Sequence, residues 1–66
     1  MKIVSWNVNG LAACKRKGFL RVLARSGADI FCCQEIKTRC PLSTPGYLQF
    51  WNPAKRPGYS GTLTLA

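Results

Sequence analysis

The chain has 66 residues, of which 47% are hydrophobic, ten are Lys or Arg, two are Asp or Glu and none is His. This length allows a single small domain over residues 1–66, and the hydrophobic fraction argues against a disordered tail. No apolar run reaches the ~20 residues that a membrane-spanning helix needs. The first residues break at polar Ser5 and Asn7, which makes a poor signal peptide, so we expect a cytoplasmic protein with no membrane partner.

The ionisable residues are strongly biased toward positive charge. The formal net charge is +8, which favours a polyanionic partner, most simply nucleic acid. The alternative is a basic surface that serves only solubility.

The four cysteines do not follow the pattern of a disulfide framework. Cys32 and Cys33 are adjacent, so on a strand they point to opposite faces. The sequence contains no CxxC pair and no His, which disfavours a zinc site. We interpret the cysteines as small, reduced hydrophobic residues in a reducing compartment.

The first strand and the turn after it are indicated by residue types. The segment 2–7 is rich in β-forming residues and precedes the turn signal NVNG. Asn9 is interpreted as the N-cap of a short helical turn through residues 11–13. A second strand is predicted over 30–35, where the sequence is again apolar.

A helix is predicted over 19–26. Phe19, Val22 and Leu23 share one face at helical spacing, which predicts that this face packs on the core. Gly27 stands where a left-handed C-terminal cap belongs.

The second half of the chain predicts a hairpin. Strands are expected over 47–51 and 60–66, and the turn-rich segment 38–46 precedes them. Together with the strand–helix–strand unit before it, this hairpin predicts an α/β fold with a mixed sheet.

Asn7 and Glu35 end two predicted strands that we expect to be parallel neighbours. Ligands of open α/β sheets bind outside the carboxyl ends of the strands, so this amide and this carboxylate are predicted to meet at one edge. A carboxylate there needs a cation or strong donors. An ion pair with nearby Lys37 is one interpretation. The other is a Mg²⁺ ligand, because Mg²⁺ binds one or two carboxylates together with waters and phosphate oxygens.

Three motifs resemble those of a known family. SWNVNGL at 5–11, ADIFCCQEIK at 28–37 and GYSGT at 58–62 are similar, in order and spacing, to the exonuclease III family of apurinic/apyrimidinic endonucleases. That family belongs to the endonuclease/exonuclease/phosphatase superfamily. The resemblance covers essentially the whole chain and implies the N-terminal part of a four-layer α/β sandwich.

The resemblance implies a nuclease that depends on Mg²⁺, or on Mn²⁺ in its place. Such an enzyme hydrolyses phosphodiester bonds of double-stranded DNA at abasic sites and 3′ ends, and is expected to be a monomer. Asn7 and Glu35 match catalytic, metal-binding positions, and Asn9 and Lys37 match positions that support the metal. The residues implied to contact DNA are Arg16, Lys17, Gly58 and Tyr59.

The sequence also departs from the family pattern. Ala12 replaces an arginine usual in NGLRA, which removes one expected phosphate contact. Ile36 stands where the family usually has Thr, and Cys33 where it often has Leu; both are interpreted as packing changes. The family's later active-site tyrosine, Asp-x-Asn pair and Asp-His pair have no counterpart in these 66 residues, so we expect the isolated chain to be inactive.

Two other functions remain open from the residues. One is a phosphatase or phosphodiesterase of the same superfamily that acts on lipids or other phosphates. The other is a small basic nucleic-acid-binding module without catalysis. The +8 charge and the GYSGT motif favour DNA, and Mg²⁺-dependent incision separates the enzyme from the module.

Overall fold

The computed structural model describes residues 1–55 and 59–66. In that part of the chain, the helices lack the length and apolar character that a membrane-spanning segment requires. The helices and strands in chain order are β1 (Ile3–Asn7), α1 (Leu11–Arg16), α2 (Phe19–Ser26), β2 (Ile30–Gln34), β3 (Gln49–Asn52) and β4 (Thr62–Leu65).

The four strands form one mixed sheet in the order β1-β2-β4-β3. β1 and β2 are parallel and are joined by the two helices, while β4 is antiparallel to both β2 and β3. The structure therefore confirms the predicted strand–helix–strand unit, the hairpin and the mixed-sheet fold class. It adds that the last strand enters between β2 and β3.

The core lies between the helices and one face of the sheet. Trp6 stacks on Phe19 with ring centroids 5.8 Å apart, and Phe31 meets Phe19 edge-on at the same distance. Such aromatic pairs stabilise beyond their buried area. Other fully buried side chains are Leu11, Cys33, Ile36, Leu63 and Leu65.

The opposite face of the sheet is partly apolar and open to solvent. Ile3 is 62% exposed, Leu48 69% and Phe50 55%. On this face the Gln34 amide donates to the Ser5 hydroxyl at 3.0 Å. In the described part of the chain, the face opposite the helices therefore presents both apolar and polar side chains to solvent.

The structure corrects the prediction for the start of α1. Gly10, not Asn9, occupies the N-cap position, and no side chain caps the helix. Asn9 has a left-handed backbone with φ 45°, and its N–H donates to the Asn7 side-chain oxygen at 3.1 Å. The helix continues to Arg16 because the sequence from 11 to 16 contains good helix formers.

α2 has the predicted bounds, and Gly27 is the predicted left-handed cap with φ 64°. The prediction that Val22 faces the core is wrong, because Val22 is 46% exposed. Phe19 and Leu23 are buried, and Leu20 packs beside them. The side of α2 that carries residues 19, 20 and 23 therefore packs against the core, and Leu20 occupies the core-facing position predicted for Val22.

The strand boundaries differ from the predicted ones by one or two residues. β2 ends at Gln34 because Glu35 adopts a left-handed backbone with φ 52°. β3 begins at Gln49 rather than at 47. β4 covers only the middle of the predicted 60–66 segment, since Ser60 and Gly61 have positive φ values that end the extended conformation.

Candidate active site

Asn7 and Glu35 meet at one edge of the sheet. Asn7 ends β1 and pairs with Gln34, the last residue of β2. Glu35 follows directly, and its carboxylate accepts a hydrogen bond from the Asn7 side-chain amide. The structure confirms the predicted convergence, which parallel pairing of β1 and β2 produces.

The Asn7 side chain is held at both ends. Its nitrogen donates to the Glu35 carboxylate, and its oxygen accepts the Asn9 N–H at 3.1 Å. In this arrangement Asn7 orients the carboxylate, and Asn9 orients Asn7 through its backbone. Direct coordination of a metal by the Asn7 oxygen stays a prediction.

Glu35 and Lys37 both have left-handed backbones, with φ values of 52° and 67°. This conformation costs a residue with a side chain about 1–2 kcal/mol, so surrounding contacts must maintain it. Between them, Ile36 is fully buried and anchors the turn. The Lys37 stem passes over Gly10, where an added Cβ would lie 3.7 Å from Lys37 Cδ.

A cavity of about 410 Å³ opens beside the Asn7–Glu35 pair. Its lining consists of Glu35, Lys37, Tyr59 and Ser60. It therefore combines a carboxylate, an ammonium group, a phenol and a hydroxyl, which together suit a phosphate ligand and a cation. Ser60 is a site residue that the sequence predictions missed, although its place in the GYSGT motif is a signal that could have identified it.

Glu35 is the carboxylate that could hold a metal here. Asp29, the other acid, lies at the opposite end of β2 and accepts a hydrogen bond from the Lys2 backbone at 2.7 Å. Within residues 1–55 and 59–66, no group of three or more His, Cys, Asp and Glu could hold a metal ion. One exposed carboxylate and one amide fit Mg²⁺, which keeps several waters and binds phosphate oxygens, better than a metal that needs a complete protein cage.

The basic residues differ in their surroundings. Arg16 and Lys17 are exposed at the end of α1, and Lys17 lines a second cleft, of about 470 Å³, beside β1. Lys15 instead donates from Nζ to the Pro41 carbonyl at 2.8 Å. Gly58, which the family resemblance assigns to DNA contact, lies outside the described residues.

Burial keeps two of the cysteines, Cys14 and Cys33, in the thiol form. All four are free. Burial, with smaller effects from Cys14 and Cys32, raises the pKa of the Cys33 thiol to about 12. Burial also raises the pKa of Cys14, against the lowering effect of Lys17, so both groups remain thiols.

No family model matches the chain, but individual proteins do. The chain is 48% identical over 70 residues to an exodeoxyribonuclease of Bacillus subtilis, a match that covers all of this chain and 28% of that protein. It is 45% identical to DNA-(apurinic or apyrimidinic site) endonuclease 2 of Xenopus laevis, covering 98% of this chain and 14% of that protein.

Solved structures agree with these matches. The chain superposes on the catalytic domain of Xenopus laevis APE2 with a TM-score of 0.81 and 37% identity, over 100% of this chain and 23% of that one. It superposes equally well, at 29% identity, on a 3′-5′ exonuclease of Neisseria meningitidis, over 100% of this chain and 27% of that one.

The chain spans less than a third of the length of these relatives. Over the segment that it spans, the residue identities and the mixed α/β fold agree with the resemblance found in the sequence. These matches identify the segment that the chain spans as exonuclease III-like, similar to exodeoxyribonucleases and apurinic/apyrimidinic endonucleases.

Proposed function

We propose that these residues form part of a Mg²⁺-dependent DNA-repair nuclease. The complete enzyme hydrolyses phosphodiester bonds of double-stranded DNA beside abasic sites and at 3′ ends. The observation that carries the proposal is the pairing of the Asn7 amide with the Glu35 carboxylate at the strand ends. The adjoining cavity, which Lys37 and Tyr59 line, provides room for a phosphate group.

Each residue of the site has a physical role in this proposal. Mg²⁺, when bound, stabilises negative charge on the phosphate. Glu35 provides the anionic oxygen for the cation, and Asn7 fixes the orientation of that carboxylate. The Lys37 ammonium attracts a phosphate oxygen into the cavity. Tyr59 is 65% exposed at the rim, where it can contact the DNA.

These residues do not provide everything that hydrolysis requires. The attacking water must lose a proton to a base. The chain has no His, and Asp29 is about 20 Å from Glu35, since six residues of strand rise ~3.3 Å each. We therefore assign the proposed activity to a polypeptide of the relatives' length and not to these 66 residues alone.

The test is incision of an abasic-site duplex by the full-length protein with Mg²⁺. In Glu35→Gln we expect kcat/KM to fall on the order of 10²-fold or more, because the anionic oxygen that would hold Mg²⁺ against the phosphate is lost. Asp29→Asn removes the same charge at the other end of β2 and is expected to change the rate by less than roughly twofold. Equal activity of wild type and Glu35→Gln would refute the proposed role.

The same assay decides between this function and its two alternatives. A phosphatase or phosphodiesterase of the superfamily would hydrolyse a lipid or small-molecule phosphate and leave the abasic duplex intact. A binding module would bind the abasic duplex but would not incise it when Mg²⁺ is added. The +8 net charge and the exposed Arg16 and Lys17 favour a DNA substrate.

A further inference from the structure

The turn that carries Glu35 and Lys37 is hydrogen-bonded to the chain on both sides. On the side of the β1–α1 turn, the Gly10 N–H donates to the Glu35 carbonyl at 2.8 Å. On the same side, the Leu11 N–H donates to the Ile36 carbonyl at 2.9 Å. These bonds fix the turn to the segment that follows Asn7.

The other side of the turn is fixed by the residues that precede β4. The Ile36 N–H donates to the Gly61 carbonyl at 3.2 Å, and the Lys37 N–H donates to the Ser60 carbonyl at 2.7 Å. The Ser60–Gly61 backbone is therefore the partner of both amides that flank the buried Ile36 side chain.

Gly61 allows the Ser60–Gly61 backbone to approach the Ile36 side chain closely. It is buried, with φ +95°, and a Cβ added there would lie 3.1 Å from Ile36 Cγ1. The same Cβ would lie 3.2 Å from the Ala54 nitrogen and 3.3 Å from Pro53 Cα. Two of these three neighbours are backbone atoms, and Ile36 is fully buried, so none of them moves freely.

The turn needs such support because its backbone is unfavourable by itself. Glu35, Lys37 and Ser60 have φ values of 52°, 67° and 54°, in the region that residues with side chains rarely adopt. Backbone of this kind persists only where the surroundings impose it.

We propose that Gly61 is a positioning residue of the site. By allowing the Ser60–Gly61 backbone to approach Ile36, it holds Glu35 and Lys37 in left-handed conformations. These conformations direct the carboxylate to Asn7 and the lysine stem across Gly10. The catalytic consequence rests on the proposed nuclease function, whereas the geometric consequence does not.

The test uses Gly61→Ala in the full-length protein. The added methyl group displaces the Ser60–Gly61 backbone from Ile36, which lengthens the hydrogen bonds to Ile36 and Lys37. We expect amide hydrogen exchange at Ile36 and Lys37 to accelerate about tenfold or more relative to Cys33 in the middle of β2. For abasic-site incision, kcat falls about tenfold or more while KM for DNA stays within roughly twofold, because the reacting groups are misplaced and the DNA contacts remain.

Gly46→Ala is the matched control. Gly46 also has a positive φ, +84°, but a Cβ there meets nothing within 4 Å. The control therefore carries the same kind of backbone penalty without pressing on the turn. It is expected to leave kcat and the exchange of the Ile36 and Lys37 amides at wild-type values.

Three results would overturn the proposal. Gly61→Ala could retain wild-type exchange and kcat, or Gly46→Ala could accelerate the same two amides equally. If Gly61→Ala does not fold, hydrogen exchange of the wild-type protein still tests the proposal. Exchange of the Ile36 and Lys37 amides that is faster than that of the β2 amides would contradict the proposed hydrogen bonds. Absence of incision by wild type would refute the nuclease function, while selective exchange changes in Gly61→Ala would still support the positioning role.

Discussion

Asp29 and Glu35 flank the same strand, β2, and are the two acids of the chain. Asp29 is bonded to the Lys2 backbone at the start of the parallel pair. Glu35 faces the Asn7 amide at the other end, beside the cavity that Lys37 lines. Their different roles follow from position in the sheet, since ligands bind at the carboxyl ends of parallel strands.

The Cys33 thiol is expected to be the least reactive of the four. Iodoacetamide at pH 8 should modify Cys33 last in the folded protein, because the thiolate is the nucleophile and burial keeps this pKa near 12. In denaturant all four thiols should react, and purified protein should hold no stoichiometric zinc. Modification of Cys33 as fast as the half-buried Cys40 would contradict this.

Cys33 also predicts a pH dependence of stability. Its pKa rises from 9.0 to about 12 on folding, so the unfolded chain loses this proton first. The contribution of the protonated Cys33 thiol to the free energy of unfolding is fully present below pH 9. It is lost as the pH rises toward 12. Denaturant unfolding at pH 8, 9.5 and 11 should show this decline, and the Cys33→Ala variant should show a smaller one.

At the scale of elements, α2 shows how one helix face divides between core and solvent. Leu23 is 4% exposed and Val22 is 46% exposed, although both are apolar and adjacent. We expect Leu23→Ala to lower the free energy of unfolding by ~2–5 kcal/mol, because it leaves a cavity among packed residues. Val22→Ala should cost less than about 1 kcal/mol. Equal losses in chemical denaturation would show that the helix is rotated.

The loop between β2 and β3 is held by side chains instead of regular structure. Lys15 donates to the Pro41 carbonyl at 2.8 Å, and Gln49 donates to the Leu42 carbonyl at 2.9 Å. The Tyr47 hydroxyl donates to the Ala28 carbonyl. These contacts connect the loop to α1, to β3 and to the segment between α2 and β2, which gives Lys15 a structural role besides its charge.

At the scale of the molecule, charge predicts how the chain meets DNA. Lys15, Arg16, Lys17, Lys55 and Arg56 are candidate phosphate contacts. Arg56 lies outside the described residues. With about four or five contacts, log K for the isolated chain should fall with log salt at a slope of about −4 and without sequence preference. Binding of duplex DNA measured across a salt series gives this slope, and Lys17→Ala should reduce its magnitude by ~1. An affinity that does not change with salt would contradict the electrostatic account.

The isolated 66-residue chain is expected to bind DNA without cleaving it. Glu35 and Asn7 form at most part of a magnesium site, and the described residues bring no base to that edge. Abasic-duplex incision with Mg²⁺ should stay at background for both the chain and its Glu35→Ala variant. Cleavage that disappears in Glu35→Ala would show that the chain is itself an enzyme.

Local sequence patterns were sufficient for most elements. The bounds of α2, its Gly27 cap and the parallel unit that joins Asn7 to Glu35 follow from helical spacing, backbone preference and chain order. The errors lie where neighbours override local preference. Asn9 is a good N-cap by type, yet its N–H binds the Asn7 side chain and Gly10 begins the helix.

The sequence by itself determined the family, the sheet edge that carries Asn7 and Glu35, and the positive charge, because these depend on motif, strand order and composition. The tertiary structure alone decided that β4 pairs with β2. That pairing brings Ser60 and Gly61, 25 and 26 residues from Glu35 in sequence, against the turn that carries it. Register and close approach between distant segments follow from packing, which local patterns do not encode.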